Sequence, residues 1–252
     1  MMETVILALS LFVTATAYAS VGLGGGTAYL ALLSFWNTDP HLLRPIAWEL
    51  NILCSSIVFY NFYQRGFFHW RIAWPFWLGG IAGSALGASV PLDATLFRWL
   101  LAMTLALVSM RMITQKDRAQ TTHEATAPLP PLWRSLALGV AIGFISGLIG
   151  IGGGIILGPI LIGLGWVTVK RTAAITSSYI LLCSVSALVT HGAVSGLDFS
   201  TDSIVLGSTV LLGGYIGSRY GSGKASAFVL RKIFAAIVLI AALNLLAGLL
   251  SV

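Results

Sequence analysis

The sequence predicts an all-α polytopic membrane protein built from two inverted repeats of about five apolar segments each. Three observations support this prediction: a composition too apolar for a water-exposed surface, two long uncharged runs that are each interrupted by glycines, and an opposite charge bias in corresponding loops. The glycine clusters are expected to break membrane helices or to form re-entrant hairpins. The predicted units are a first membrane repeat (1–113), a cytoplasmic linker (114–131) and a second membrane repeat (132–252).

The composition indicates that lipid is the main solvent of this 252-residue chain. Hydrophobic residues make up 57% of the sequence and charged residues only 9%, whereas soluble domains carry about 25% charged residues. The formal net charge is +6, but the basic residues lie in short loops between apolar runs, which is typical of cytoplasmic membrane loops. We therefore expect a lipid bilayer around the protein and no nucleic-acid partner.

The first apolar run is too long for one straight crossing. No charged residue lies between Glu3 and Asp39, and a continuous helix of that length would reach roughly 52 Å, against a hydrocarbon core about 30 Å thick. The break is expected at Gly22-Leu23-Gly24-Gly25-Gly26. Residues 4–21 can then nearly span the membrane, and residues 27–38 form a half-helix or a re-entrant limb.

The second half of the chain repeats this pattern. An equally long uncharged run, residues 135–169, is broken at Gly150-Ile151-Gly152-Gly153-Gly154. A second pair of runs, residues 79–87 and 213–221, shares four glycines and one serine. Two matches in the same order predict a duplication, and the expected segments are 3–20, 25–36, 45–64, 72–90 and 95–113, followed by 133–149, 153–166, 171–191, 202–220 and 227–250.

The basic residues predict the orientation, because cytoplasmic loops are enriched in Lys and Arg. With the N-terminus outside, only Arg44 and Arg98 fall in outside loops. The twelve others fall inside: Arg65, Arg71, Arg111, Lys116, Arg118, Arg134, Lys170, Arg171, Arg219, Lys224, Arg231 and Lys232. We therefore expect both termini outside a bacterial-type inner membrane.

Corresponding loops carry opposite charge bias. The loop before the third segment has Arg44 alone, while its counterpart before the eighth has Lys170 and Arg171. The loop after the third segment has Arg65 and Arg71, while its counterpart has no Lys or Arg. This pattern predicts halves that face opposite ways, an architecture common among secondary transporters, whose sites lie near the midplane where broken helices meet.

The two glycine clusters are the main candidate site. A broken helix leaves backbone N–H groups unpaired at the start of its second limb, and those groups together with the helix dipole favour an anion. The alternative is that the glycines only permit close helix packing. The candidate substrate-binding residues here are Gly24, Gly25, Gly26, Thr27, Gly152, Gly153, Gly154 and Ile155.

Polar residues in the third and eighth segments extend this candidate site. Asn51, Thr176, Ser177 and Ser178 could contact anion oxygens, or could instead bond to their own helix or between helices. Glu49 is a candidate for proton coupling if it lies deep in the membrane, and otherwise an interface residue.

Nothing in the sequence indicates an enzyme or a cofactor. The first cluster has Thr27 where a dinucleotide fingerprint needs its third glycine. The four histidines, His41, His69, His123 and His191, have no metal-ligand spacing and are expected at wetted interfaces. We find no catalytic triad, and we expect no metal and no cofactor.

The chain resembles the TauE/SafE sulfite exporter family over nearly its whole length. The residues that carry the resemblance are the two glycine clusters, Ala174-Ile175-Thr176-Ser177-Ser178 and the paired Gly-x-x-x-Gly runs that contain Gly83 and Gly217. The resemblance implies a secondary transporter that exports sulfite or small organosulfonates. The alternative functions are a passive anion channel-like pore, a membrane enzyme or an assembly factor. The chain departs from the family pattern at Trp48-Glu49-Leu50-Asn51, where members often have a Thr-Ser type stretch.

Overall fold

The computed structural model of the chain describes residues 2–34, 40–114, 130–164, 166–195, 201–222 and 243. In this described part the chain forms helices and no strand, which confirms the all-helical prediction. The tenth predicted segment (227–250), apart from residue 243, and most of the linker lie outside the described residues. The helices are α1 (Met2–Ser20), α2 (Gly26–Leu33), α3 (Pro40–Gln64), α4 (Trp70–Ser89), α5 (Ala94–Thr114), α6 (Leu132–Ile149), α7 (Gly154–Gly163), α8 (Val169–Ser195) and α9 (Thr201–Gly221).

Helix lengths separate membrane spans from half-helices. By length and composition, three stretches of the described helices are long and apolar enough to cross a membrane: Leu42–Gln64, Leu132–Ile149 and Val169–Ala193. By contrast, α2 has 8 residues and α7 has 10, which corresponds to about 12 and 15 Å. Neither short helix can cross a core about 30 Å thick, so the predicted half-helices are confirmed.

The outward faces of several helices are apolar, as lipid requires. Leu9 is 60% exposed on α1, Leu107 is 65% exposed on α5 and Leu212 is 61% exposed on α9. Large exposed apolar patches are rare on soluble monomers. In a bilayer, lipid tails cover these faces, so their apolar side chains are not exposed to water.

Glycines bring α4 against α6 and α9 against α1. A Cβ on Gly83 would lie 2.2 Å from the Val140 carbonyl oxygen, and one on Gly217 would lie 1.9 Å from that of Thr16. No side chain fits at such distances, so these Gly-x-x-x-Gly runs allow the close packing of the helix pairs. Each pair joins the two halves of the chain: α4 of the first half packs on α6 of the second, and α9 of the second half packs on α1 of the first.

Two long helices, α3 and α8, pack together at the centre. Their inward faces carry large buried side chains, including Trp48 and Phe62 on α3 and Tyr179 on α8.

At the periphery, Asp93 precedes α5 and accepts hydrogen bonds from the backbone N–H groups of Thr95 and Leu96, at 2.9 and 3.4 Å. These bonds lower the pKa of Asp93 and cap the first turn of α5.

Two sequence expectations at α3 and α8 are wrong. Arg44 is expected in an outside loop, but α3 begins at Pro40, so Arg44 lies inside the helix and is 3% exposed. The sequence misleads here because proline favours the first helical turn, and both Pro40 and Pro45 fit that position. His191 is expected at a wetted interface, but it is buried, with its ring centroid 5.5 Å from that of Trp48.

Candidate functional site

The first glycine cluster ends α1 and starts α2. Gly22 has φ +84° and Gly25, the residue before α2, has φ +99°; both values lie in the left-handed region that glycine adopts without strain. In the described part of the chain, no acceptor receives the backbone N–H groups of Gly24, Gly25, Gly26 or Thr27. The start of α2 therefore presents four free donors.

The second cluster does the same between α6 and α7. Gly150 caps the end of α6 with φ +98°, and Gly152 and Gly153 follow with φ +79° and +71°. The Gly154 N–H bonds back to the Gly152 carbonyl at 3.0 Å. Within the residues described, the N–H groups of Gly152, Gly153 and Ile155 donate to no acceptor, so this helix start also offers free donors.

The two breaks meet at one side chain, Asn51 of α3. Asn51 is fully buried, and its Nδ2 donates to the Gly150 carbonyl at 3.4 Å. A Cβ on Gly24 would lie 2.9 Å from Asn51 Oδ1, and one on Gly152 would lie 3.1 Å from Nδ2. On the opposite side, Ile180 of α8 packs against the same two glycines. The structure therefore brings together both predicted glycine clusters and the predicted asparagine.

Thr176 ties the long helix α8 to the first break. Its Oγ1 lies 3.1 Å from the Gly22 carbonyl and 2.8 Å from the Thr172 carbonyl of its own helix. At the other predicted threonine, Thr27, the hydroxyl donates to the Tyr18 hydroxyl at 3.1 Å. Both threonines are buried beside the breaks.

The two predicted serines bond mainly within α8. Ser177 donates to the Ala173 carbonyl at 2.8 Å, and Ser178 donates to that of Ile175 at 2.9 Å. Ser178 also accepts from the Trp77 indole N–H at 3.1 Å. Their hydroxyl protons are therefore committed, as expected for serines that bond back to their helix. Glu49 is partly exposed on α3, two residues before Asn51.

Sequence reasoning missed two hydroxyls at the breaks. A Cβ on Gly25 would lie 2.7 Å from the Tyr29 hydroxyl, and one on Gly153 would lie 3.3 Å from Ser146 Cβ. Both hydroxyls are buried without a hydrogen-bond partner in the described chain. The Cys54 thiol, a weak hydrogen-bonding group, neighbours Tyr29. Their spacing is the available sequence signal, since Tyr29 follows Gly25, and Ser146 precedes Gly150, by one helical turn.

Arg44 places a buried cation beside the second break. Its Nη2 donates to the carbonyls of Gly147 at 3.0 Å, Ala88 at 3.1 Å and Gly87 at 3.4 Å. The guanidinium carbon lies 5.1 Å from the Trp48 ring centroid, within cation–π range. Arg44 thus joins the carboxyl ends of α4 and α6, where the helix dipoles are negative.

Among the described residues, no group of three or more His, Cys, Asp or Glu is placed to hold a metal ion. The polar groups at the breaks are instead backbone N–H groups, hydroxyls and one carboxamide. Most of these are donors, so the site suits an anion.

Comparison with known proteins identifies the family. The family model described as "Sulfite exporter TauE/SafE" matches residues 7–245 of the chain. A probable membrane transporter protein of Sinorhizobium fredii, y4hK, is 34% identical over 97% of this chain and 98% of its own. One from Xylella fastidiosa is 27% identical over 93% and 94%. The probable membrane transporter protein MamO of Magnetospirillum gryphiswaldense is 24% identical over 89% of this chain and 42% of its own. No solved structure matches the chain. The chain belongs to the sulfite exporter TauE/SafE family of membrane proteins.

Proposed function

We propose that this protein is a secondary transporter that exports a small anion, sulfite or an organosulfonate, across a bacterial-type inner membrane. The observation that carries the proposal is the meeting of two helix starts with free N–H groups at Asn51. Gly24 to Thr27 and Gly152 to Ile155 are the proposed ligands. Asn51, Tyr29 and Ser146 complete the site, and Thr176 holds α8 against it through the Gly22 carbonyl. Ser177 and Ser178 stay candidate ligands on the same helix. Glu49 stays the candidate for proton coupling.

Helix ends suit a site that must both bind and release. Each helix start carries about half a positive charge, so two of them facing one point attract an anion without a full cationic ligand. Binding and release must both be fast in transport, and a bidentate arginine would hold the anion more tightly. This favours backbone donors over the guanidinium of Arg44, whose Nη2 is occupied by three carbonyls.

We also propose that the two halves are inverted repeats, related by an axis in the membrane plane. Gly22 lies against Ala173 of α8, and Gly150 lies against the backbone of Arg44 of α3. Each break thus touches the start of the other half's long helix. Rotation by 180° about an axis in the membrane plane moves an atom at a given depth on one side of the midplane to the same depth on the other side. Two equivalent breaks that touch must then lie at the midplane.

The orientation can be tested with single cysteines on a background that lacks Cys54 and Cys183. We expect a cysteine at Gln120, in the linker outside the described residues, to react with a membrane-impermeant maleimide only after the cells are opened. The basic linker should face the cytoplasm. As the control, a cysteine at the exposed Thr95 should react in intact cells. The reverse pattern would overturn the proposed orientation.

Transport itself can be tested with a matched pair of tyrosine variants. In proteoliposomes, the wild type should show saturable sulfite or isethionate flux. Tyr29→Phe removes a hydroxyl that has no hydrogen-bond partner in the described chain, so it should weaken substrate affinity roughly tenfold or more and leave the melting temperature nearly unchanged. Tyr179→Phe removes the bond to the Gly139 carbonyl at 2.8 Å, so it should lower stability instead.

The kinetics also separate a transporter from a pore. Saturation and exchange of labelled for unlabelled anion are expected of a transporter. Flux that rises in proportion to the anion gradient, without saturation, would identify a passive pore. No flux of any sulfur oxyanion or organosulfonate would remove the proposed substrate class.

A further inference from the structure

Asn51 Oδ1 is an acceptor in a site made largely of donors. It is fully buried and no described group donates to it. Around it lie the free N–H groups of α2 and α7. A buried polar atom without a partner costs free energy, and in native proteins it needs a specific explanation.

Contacts fix the orientation of the carboxamide. Nδ2 points to the Gly150 carbonyl at 3.4 Å, and turning the amide over would bring two carbonyl oxygens face to face. The carboxamide faces the first cluster: a Cβ built on Gly24 would lie 2.9 Å from Oδ1, and one built on Gly26 would lie 2.4 Å from Nδ2 and 2.8 Å from Oδ1. The acceptor thus lies next to the free N–H groups at the start of α2.

An oxyanion bound at these N–H groups has Oδ1 as its neighbour. An anion that exposes only acceptor oxygens or methyl groups leaves Oδ1 unpaired and can place oxygen against oxygen. An anion that carries its own donor satisfies Oδ1 while its oxygens accept from the backbone. Sites that hydrogen-bond a substrate hydroxyl reject analogues that lack it, because a buried polar group is then left unpaired.

We propose that Asn51 selects anions that carry their own hydrogen-bond donor: a hydroxyl, an ammonium or an acidic proton beside the anionic oxygens. The inference rests on the proposed function and specifies its substrate class. It places hydroxyalkyl- and aminoalkylsulfonates, and the singly protonated form of sulfite, ahead of sulfate and simple alkylsulfonates.

The test uses pairs of anions that differ mainly in the donor. Purified protein in liposomes would be assayed for uptake of isethionate against propanesulfonate, in which a methyl group replaces the hydroxyl. Hydrogensulfite against sulfate forms a second, less closely matched pair, because its members also differ in charge and in the geometry at sulfur. For the wild type we expect the donor-bearing member to be transported on the order of ten- to a hundredfold more efficiently, judged by kcat/KM.

Asn51→Leu should remove this preference by affecting the donor-bearing anion most, and Asn51→Ala is the smaller alternative if the leucine does not fit. Asn61→Leu is the matched control, because Asn61 lies on the same helix but donates to Ser218 Oγ at 2.7 Å, away from the breaks. Melting curves in detergent establish that each variant is folded. The control should keep the wild-type ratio.

The outcomes separate this inference from the proposed function. If the wild type transports both members of each pair equally well, the inference is wrong while the transporter stands. If Oδ1 is instead a cation ligand, transport will require sodium and show no donor preference, which also overturns the inference. If none of the four anions is transported, the proposed function itself fails.

Discussion

Gly25→Ala and Gly153→Ala should each abolish anion transport while the protein still inserts into the membrane. A methyl group at Gly25 would meet the Tyr29 ring at 2.6 Å, and one at Gly153 would meet Ile142 and the Tyr179 ring at 3.0 Å. The backbone must shift to relieve either contact, and that shift would turn the helix start away from the anion. Losing two charge-assisted hydrogen bonds would lower transport efficiency by at least about a hundredfold. Proteoliposome flux, normalised to folded protein, measures the loss.

Backbone strain alone could mimic this result, and the chain offers a control. Gly66 lies between α3 and α4 with φ +75°, and a methyl group added there would have no described atom within 4 Å. Gly66→Ala therefore carries similar left-handed strain, about 1–2 kcal/mol, far from the breaks. It should reduce stability slightly and leave transport intact. Normal transport by well-folded Gly25→Ala and Gly153→Ala proteins would refute the helix-end mechanism.

Arg44→Leu should destabilise the protein severely. The substitution leaves the carbonyls of Ala88 and Gly147 without the arginine donor that they share, whereas the Gly87 carbonyl keeps the Val90 N–H at 3.4 Å. Each buried unpaired carbonyl costs about 1–3 kcal/mol. We expect a loss of roughly 3 kcal/mol or more. Arg44→Lys should be intermediate, because an ammonium can donate to carbonyls but lacks the planar fork of arginine. Thermal unfolding in detergent, monitored by size-exclusion chromatography, gives the order of stability of the wild type and the two variants.

An arginine at the other end of α3 provides the comparison. Arg65 is exposed, and within the described residues its one hydrogen bond is a contact of 3.5 Å to the Arg219 carbonyl. Arg65→Leu should therefore change stability by no more than about 0.5 kcal/mol. Equal stability of Arg44→Leu and Arg65→Leu would show that the buried arginine does not join α4 to α6.

The broken helices could be predicted from the sequence because their cause is local. A charge-free run longer than the membrane is thick must bend, and adjacent glycines mark where it bends. The structure starts α2 at Gly26 and α7 at Gly154, within one residue of the predicted Thr27 and Ile155. The packing glycines were predictable for the same reason, since spacing by four places them on one helix face.

The contents of the site depend on contacts between distant parts of the chain. Tyr29 and Ser146 lie one helical turn from the breaks along their own helices, but the burial of their hydroxyls without a described partner depends on the helices packed around them. The prediction for Arg44 is wrong because two prolines compete for the start of α3. Ser177 and Ser178 show the reverse limitation, since their residue type suits an anion but their helix already uses their protons. Sequence periodicity does not show which of two prolines starts a helix, which helices surround a side chain or which protons a helix already uses.

The crossed pairing of helices sets the order of assembly in the cell. Helix α1 leaves the ribosome well before α9, yet α9 is the helix that covers its small-residue face, with Gly217 and Gly221 against Thr16 and Ser20. Most of the chain must therefore be synthesised before α1 finds its permanent neighbour. Until then its face must rest against lipid or the insertion machinery. Among the described helices, each half therefore completes part of its packing only with a helix of the other.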